Sequence, residues 1–468
     1  MIGEHRKELP MPIHLSPSAY ALAAHLHARL RGRWQALPGA NTGQSTVPPF
    51  QAAPIPENLR GRRVELIVEA SDLRALNSAL ASKADAVVVD FDDTFAPTPA
   101  NVQAAYDALA WVMDTEKPLL ARPRALYATE PGLDFGGPAS AALCDLAVLL
   151  TARPDRVPHL YLPKLETEVE ARFWQEALSL AETHLGLEAN TVRVCLQIET
   201  FSGLLNADIL LHVLRSRAYG LNAGRWDYVF SLIKHIGATR PGPVPPRSQL
   251  TMDVPAMRAY AEHLVGVCQQ HGAEAIGGTA SLAPDPANPQ PALEAVQADK
   301  EREATQGFTA AWAGLPDLLD AVRAGIAPRV RRPSTAVQAD LQTILTDLPT
   351  PNHIPVLELR DSVGLALDVF AAWLEGRGVV VRGGRVEDTA TAELARALVW
   401  QWVRVGATLD DGSVLTRDRY RMERRALMPD NVGAARLLDH LVLSDRCAAY
   451  FPREAQGLFP DLFQGVTS

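Results

Sequence analysis

The segment DAVVVDFD, residues 85–92, is the clearest strand signal in the chain, because it contains three consecutive valines. β-branched residues favour extended backbone, and a continuous apolar run indicates a strand covered on both faces. Helical patterns precede it at 73–82 and follow it at 101–113. A buried strand between two helices is typical of a parallel βαβ unit.

The same alternation continues along the chain from residue 63 to residue 314. The further predicted strands are residues 63–70, 118–124, 159–165, 193–200, 219–230, 273–280 and 309–314. Eight strands alternating with helices over about 250 residues favour a closed (β/α)₈ barrel over an open doubly wound sheet. We therefore predict an α/β fold with a TIM barrel.

The chain outside the barrel pattern is predicted to be helical. Residues 16–37 form an N-terminal helix, and a Pro/Arg-rich break at 328–337 separates the barrel from a region with helical patterns only. The stretch 284–304, which is first Pro-rich and then charged, is predicted to be a mobile loop. The expected units are residues 1–58 (helix and linker), 59–330 (barrel) and 331–468 (C-terminal helical domain).

Composition excludes several classes of protein. The 468 residues include 47% hydrophobic residues, which is ordinary for a globular chain, and carry a net charge of −9. Without a basic excess, nucleic-acid binding is not expected. No apolar run approaches the roughly 18 residues of a membrane span, and no secretory signal is found. The scattered cysteines, Cys144, Cys195, Cys268 and Cys447, indicate reduced thiols in a cytoplasmic protein.

Polar residues gather where the predicted strands end, and the carboxyl ends of the strands carry the active site in (β/α)₈ barrels. These residues are Asp90, Asp92, Asp93, Arg122, Arg124, Lys164, Glu166, Glu199, Arg225 and Asp227. Acidic oxygens beside arginines suit a hard divalent cation such as Mg²⁺ and an anionic substrate. The histidines are scattered without the spacing of a zinc site.

The residues alone leave a structural interpretation open at each position. A single acidic residue at a strand end is more often a helix N-cap or a solvated charge. Glu199 and Asp227 are better candidates, because each follows an apolar strand. The glycines of YGLNAGRWDY (219–228) permit either close approach of a ligand or a tight barrel turn. Asp388 is either functional or the cap of the helix that follows it.

Seven tracts, in order, resemble the malate synthase family in its shorter form, isoform A, known from bacteria, plants and fungi. The most specific is AYGLNAGRWDYVFSLIKHIG, residues 218–237. The other tracts are DAVVVDFDDTFAPTPANV (85–102), LLARPR (119–124), VCLQIET (194–200), residues 250–281, residues 299–322 and VEDTATAELARALVWQWVR (386–404).

The resemblance implies a barrel with an N-terminal helical clasp and a C-terminal helical domain that carries the catalytic aspartate. The implied reaction is the condensation of acetyl-CoA with glyoxylate, followed by hydrolysis to malate and CoA, with Mg²⁺ as cofactor. By motif position, Glu199 and Asp227 would be the metal ligands. Asp92 and Asp93 would hold metal-bound waters.

The same motif positions imply the catalytic groups. Arg122 would be the catalytic arginine, and Asp388 would be the carboxylate that moves the acetyl proton. A positioned base is needed because the methyl group of a thioester is a poor carbon acid. The implied substrate-binding residues are Arg122, Gly224, Arg225, Trp226, Asp227 and Trp312.

The sequence departs from the family pattern near these positions. Ala125-Leu126-Tyr127 replaces glycine, tryptophan and histidine, Phe91-Asp92-Asp93 replaces FED, and Ala313-Gly314-Leu315-Pro316 lacks a histidine. Two alternatives remain. A malyl-CoA or citramalyl-CoA lyase-like enzyme is one, because such barrels use similar arginine and acidic metal ligands, and a catalytically silent barrel that binds ligand is the other, which the substitutions after Arg124 suggest. The long C-terminal region with Asp388 disfavours the first, and the retained metal ligands, arginine and base disfavour the second.

Overall fold

The computed structural model of the protein describes residues 13–39, 47–112, 115–153, 155–328, 341–427 and 432–463. Eight parallel strands close into a barrel in chain order, which confirms the predicted fold. The strands are β1 (Val64–Glu69), β2 (Ala86–Asp90), β3 (Leu119–Arg122), β4 (His159–Leu162), β5 (Val194–Ile198), β6 (Ala218–Ala223), β7 (Glu274–Ala280) and β8 (Ala310–Ala313).

Helices precede the barrel, alternate with its strands and follow the last of them. They are α1 (Pro17–Ala36), α2 (Leu73–Ala81), α3 (Pro99–Val112), α4 (Ala141–Thr151), α5 (Glu168–Leu185), α6 (Phe201–Leu205), α7 (Ala207–Val213), α8 (Arg225–Ile236), α9 (Pro255–His271), α10 (Gln290–Gln306) and α11 (Leu319–Gly325). The prediction of a mobile loop at 284–304 is wrong, because α10 occupies most of that stretch. The predicted sixth strand is too long, since β6 ends at Ala223 and α8 begins at Arg225.

A polar cluster fills the barrel near the amino ends of its strands. Glu65 on β1 accepts hydrogen bonds from the Tyr161 hydroxyl at 2.7 Å and from the Trp312 indole at 3.0 Å. Arg62 pairs with Glu65 and, at 2.7 Å, with Glu274. We call Arg62, Glu65, Tyr161, Glu274 and Trp312 the barrel-floor cluster. The charges of Arg62, Glu65 and Glu274 are paired with one another, which offsets the cost of burying them inside the barrel.

The C-terminal region contains helices and one small sheet. Its elements are α12 (Leu341–Leu345), α13 (Val356–Leu374), β9 (Val380–Arg382), β10 (Arg385–Glu387), α14 (Thr389–Val405), α15 (Arg417–Leu427), α16 (Val432–Val442) and α17 (Phe451–Leu458). The prediction of helices alone is therefore wrong, because β9 and β10 pair as an antiparallel hairpin around Gly383 and Gly384. Both glycines have positive φ, which a tight turn between strands requires.

The C-terminal region packs against the barrel through specific contacts. The Trp402 indole on α14 donates to the Val244 carbonyl at 2.7 Å. The β10 residue Val386 donates its N–H to the Ser281 carbonyl at 2.8 Å, just after β7. The Thr389 N–H, at the start of α14, donates to the Asp93 carbonyl at 3.1 Å. These bonds bring the first turn of α14 to the carboxyl ends of the strands.

The predicted break at 328–337 falls almost wholly on residues 329–340, outside the described residues, so the boundary at 330 stays a prediction. Among the helices in the described ranges, none combines the length and apolarity that a bilayer crossing demands.

Candidate active site

A cavity of about 520 Å³ opens at the carboxyl ends of the barrel strands. Its wall combines strand residues, the start of α8 and the start of α14. Of the sequence-predicted site residues, the structure places Asp93, Arg122, Glu199, Gly224, Arg225, Trp226, Asp227, Trp312 and Asp388 on this wall. Asp92 lies beside the cavity, where it accepts from the Ala125 N–H at 3.0 Å.

Three buried carboxylates form an acidic cluster on the cavity wall. Asp93, Glu199 and Asp227 each offer an oxygen, and these oxygens lie within 4.8 Å of one another. Asp93 follows β2 and Glu199 follows β5, as the strand pattern predicts. Asp227 instead lies in the first turn of α8, so a helix rather than a strand end delivers it.

Two oxygens of this cluster have no protein partner. Glu199 Oε2 and Asp227 Oδ1 are buried and accept no hydrogen bond from any described residue. A buried carboxylate oxygen without a donor is costly, and a metal ion is one of the few groups that satisfies it. The hard oxygen donors of the cluster fit Mg²⁺ or a similar divalent cation.

Gly224 allows α8 to begin directly beside Glu199. A Cβ atom at this position would lie 2.4 Å from Glu199 Oε2, which is closer than atoms can approach. The Gly224 N–H donates to the Tyr260 hydroxyl at 2.9 Å, and that hydroxyl donates to the Ile198 carbonyl at 2.6 Å. The Gly224 N–H is therefore engaged by the protein. The N–H groups of the first turn of α8, which lack intrahelical acceptors, are the backbone donors at this end of the cavity.

Lys164 is a site residue that the sequence analysis did not assign a role. Its ammonium lies 2.7 Å from both Asp92 Oδ2 and Asp93 Oδ1, 3.4 Å from Asp227 and 3.7 Å from Glu199. Its backbone has φ +55°, and its N–H donates to Glu199 at 2.9 Å. A left-handed non-glycine residue is strained and persists where its surroundings fix it. The only sequence feature that pointed to Lys164 as a site residue was its position after an apolar strand.

Arg122 is held rigidly at the end of β3. Its Nε and Nη2 contact the two oxygens of Asp90 at 2.5 and 2.6 Å. Its Nη1 contacts Asp93 at 2.7 Å and Gln197 at 3.2 Å. A guanidinium has five N–H donors, so one N–H of Nη2 has no partner in the described part of the chain. The ring of Trp312 lies 5.4 Å from Cζ.

Arg124, two residues further on, belongs to a different network. It forms contacts of 2.7 Å with both Asp145 and Glu130, and it is buried. These pairs use its charge to fix the loop after β3 against α4. The structure thus separates the two arginines of the RPR tract, leaving Arg122 as the one on the cavity wall.

The site contains more acidic than basic groups. Five carboxylates (Asp90, Asp92, Asp93, Glu199 and Asp227) surround two cations (Arg122 and Lys164). Burial, together with the nearby Asp93 carboxylate, raises the pKa of Glu199 to about 8 although Lys164 opposes this shift. Burial and Asp93 also raise the pKa of Asp227 well above its usual range. A divalent cation would neutralise this excess negative charge.

Asp388 caps α14 and also lies on the cavity wall. Its Oδ1 accepts from the Thr391 N–H at 3.2 Å, and its own N–H donates to Thr391 Oγ1 at 2.9 Å. The side chain is half-buried. Burial, with the nearby Asp93 carboxylate, raises the pKa of Asp388 to about 7. The capping and functional interpretations of this residue are therefore compatible, and its carboxylate is more basic than usual.

Two of the altered family positions, Tyr127 and Leu315, lie at or near the site in the structure. The ring of Tyr127 stacks on that of Tyr450, with 4.0 Å between centroids and 6° between planes. The loop after β3 thus packs against the segment that leads into α17. Leu315, in the tract without the histidine, lies on the cavity wall.

Comparison with known proteins agrees with this geometry. Family models described as the malate synthase TIM barrel domain and the malate synthase C-terminal domain match residues 118–344 and 354–426. Malate synthase from Streptomyces clavuligerus is 36% identical over 409 residues, with 78% of this chain and 75% of that protein covered. Malate synthase A from Escherichia coli is 30% identical, with 84% and 82% covered. This chain belongs to the malate synthase family of enzymes.

Proposed function

We propose that this protein catalyses the Mg²⁺-dependent condensation of acetyl-CoA with glyoxylate and the hydrolysis of the product to malate and CoA. The observation that carries the proposal is one cavity with a buried carboxylate triad, a rigid arginine and an aspartate of raised basicity. The triad is Asp93, Glu199 and Asp227, and the other two residues are Arg122 and Asp388.

Glu199 and Asp227 would hold the metal, because each has a buried oxygen without a donor. Asp93 would act through metal-bound water, since both of its oxygens already contact cations, Arg122 and Lys164. Asp92 is further from this role than the sequence indicated, because it lies beside the cavity wall and its two oxygens contact the Ala125 N–H and Lys164. When bound, Mg²⁺ would polarise the carbonyl of the acceptor.

Asp388 would remove a proton from the acetyl methyl group. A carboxylate whose pKa is about 7 is a stronger base than an ordinary aspartate and is still largely ionised slightly above neutrality. The unpartnered N–H of Arg122 would donate to the thioester oxygen as negative charge develops there. Since Asp90 and Asp93 hold the guanidinium in advance, little reorganisation is needed during the reaction.

Glyoxylate would bind at the start of α8. The N–H groups of Arg225, Trp226 and Asp227 belong to the first helical turn, which favours an anionic carboxylate. Trp312, which also lines the cavity, would limit the space that is available to glyoxylate. The base comes from the proposed C-terminal unit (331–468), so its docking on the barrel sets the distance between base and acceptor.

A thiol-release assay tests this proposal. Protein, Mg²⁺, acetyl-CoA and glyoxylate should release free CoA, and omission of either glyoxylate or Mg²⁺ should abolish the release. Formation of malyl-CoA without free thiol would instead favour a lyase-like enzyme. Glyoxylate binding without turnover would identify a silent binding protein.

A further inference from the structure

We infer that Arg247 is a positioning residue that holds the candidate base Asp388 in place through a partly buried ion pair with Glu387. This inference rests on the proposed function, in which Asp388 is the base. Arg247 Nη1 lies 2.8 Å from Glu387 Oε1. Glu387 is only 2% exposed, is the last residue of β10 and directly precedes Asp388.

Asp388 is anchored to the barrel on both sides along the chain. On one side, Glu387 pairs with Arg247, which belongs to the segment between α8 and α9. On the other side, the Thr389 N–H donates to the Asp93 carbonyl at 3.1 Å. Elsewhere the hairpin is bonded to the segment after β7 through backbone groups, such as the Val386 N–H that donates to the Ser281 carbonyl. Among the described residues, the ion pair is therefore the side-chain contact between hairpin and barrel that lies closest to the base.

Arg247 is itself held against the turn that supplies the acidic cluster. Its Cζ lies 4.6 Å from the ring centroid of Trp226, and the Cζ of Arg225 lies 4.0 Å from the same centroid. Trp226 directly precedes Asp227 in the first turn of α8. The contacts Trp226–Arg247–Glu387 thus connect Asp227 to Asp388. Through them, the base is aligned to the carboxylate cluster at which the acceptor would bind.

Stability alone does not explain this ion pair. Glu387 Oε2 and Arg247 Nη2 are both buried without a hydrogen-bond partner among the described residues. A buried pair with unsatisfied atoms often stabilises a fold no better than two apolar side chains of similar volume. Such a pair does fix the position of the backbone that carries it, because it has one favourable arrangement. The Arg247–Glu387 pair therefore serves to align Asp388 with the cavity.

The test compares Arg247→Met, Glu387→Met and the double variant with wild type. Arg247→Met leaves the buried Glu387 carboxylate unpaired and Glu387→Met leaves the partly buried Arg247 guanidinium unpaired, so each single variant should lower the melting temperature. The double variant removes both charges, so its melting temperature should return close to the wild-type value. If the pair positions Asp388, kcat in all three variants falls by about 10- to 100-fold, because displacement of a catalytic group by about 1 Å has this effect. KM for glyoxylate should stay within about two-fold of the wild-type value.

Arg382→Met is the matched control, because Arg382 lies on the other strand of the same hairpin and pairs with Asp361 at 3.0 Å and Asp368 at 3.2 Å. Its kcat should stay within about two-fold of wild type. Arg247→Lys retains the charge and should recover part of the lost kcat. Recovery of kcat together with melting temperature in the double variant would show that the pair is only structural. An equal loss of kcat in Arg382→Met would also overturn the inference. The proposed function is tested separately, because it fails if the wild-type protein does not release CoA, whatever the variants do.

Discussion

The Lys164 ammonium lies 2.7 Å from Asp93 Oδ1 and within 3.7 Å of Glu199 and Asp227, so a protein cation stands beside the candidate metal site. Burial alone would lower the pKa of Lys164, but the surrounding carboxylates raise it well above its usual range. The ammonium is therefore charged at neutral pH, and it offsets part of the repulsion among the buried acids.

Replacement of Lys164 by methionine should destabilise the metal-free protein. The free energy of unfolding should fall by about 3–5 kcal/mol, because the variant leaves buried carboxylates without their cation. Mg²⁺ should raise the melting temperature of Lys164→Met more than that of wild type. Lys234→Met is the control, since Lys234 is partly exposed and lies 3.6 Å from Glu166. An unchanged melting temperature of metal-free Lys164→Met would contradict this account.

Asp388→Asn should fold normally and lose malate formation by about 10²- to 10⁴-fold. Asparagine is as good an N-cap as aspartate but does not act as the base. Calorimetric titration with glyoxylate and Mg²⁺ should show binding close to wild type. Asp388→Ala should in addition lose about 1 kcal/mol of stability, because it removes the cap of α14. Turnover of Asp388→Asn near the wild-type rate would exclude the proposed role.

Chelation by EDTA should abolish thiol release, and added Mg²⁺ should restore it. Glu199→Gln and Asp227→Asn should each weaken Mg²⁺ binding, which titration calorimetry measures without reference to turnover. Asp208→Asn is a suitable control, because Asp208 pairs with His271 at 2.7 Å away from the cavity. Full activity in EDTA would exclude the metal assignment.

Gly224→Ala should remove activity and lower stability, because its Cβ would lie 2.4 Å from Glu199 Oε2 and displace either the glutamate or the start of α8. Gly266→Ala provides the contrast, since Gly266 lies inside α9 with no heavy atom within 4 Å of the added Cβ. The second variant should be stabilised by about 0.5–1 kcal/mol, as is usual for alanine in a helix interior. Thermal melts and the thiol assay measure both effects. Equal behaviour of the two variants would show that close approach at Gly224 is unimportant.

The metal-free protein should lose stability as pH rises from about 4.5 to about 8. Across this interval folded Glu199, whose pKa is raised to about 8, retains a proton that the unfolded chain releases near its usual pKa of 4.5. The folded state then binds more protons, so its stability falls with rising pH. Glu199→Gln should show a shallower decline in melting temperature over pH 5–8. An identical decline in both proteins would contradict the raised pKa.

The sequence predicted the barrel because each buried strand is a compact apolar run with its own helix. It failed at α10 because the segment opens with prolines, and prolines are tolerated in a first helical turn, where Pro291 lies. The sequence pattern placed Asp227 on a strand because GRWDY directly follows the apolar residues of β6. In the structure Gly224 is the N-cap residue of α8, which begins at Arg225. Local patterns do not distinguish these cases.

The candidate site was predictable only where a motif marked it. Arg122 and Glu199 lie at strand ends on the cavity wall, as the barrel pattern and the family motifs both predict, and Asp388 lies there as the family motif alone predicts. The position of Lys164 depends on a left-handed backbone and on carboxylates from β2, β5 and α8, which are distant in sequence. The pair of Arg247 with Glu387 likewise joins residues 140 positions apart. Contacts of this kind arise from tertiary packing alone.

Trp312 belongs both to the cavity wall and to the barrel-floor cluster. Its ring lies 5.4 Å from Arg122, and its indole N–H is bonded to Glu65, which Arg62 and Tyr161 hold in turn. If glyoxylate binds as proposed, an acceptor bulkier than glyoxylate would have to shift this indole and break its hydrogen bond to Glu65. Under that proposal, Glu65, Arg62 and Tyr161 would help to set the upper limit on acceptor size without touching the acceptor.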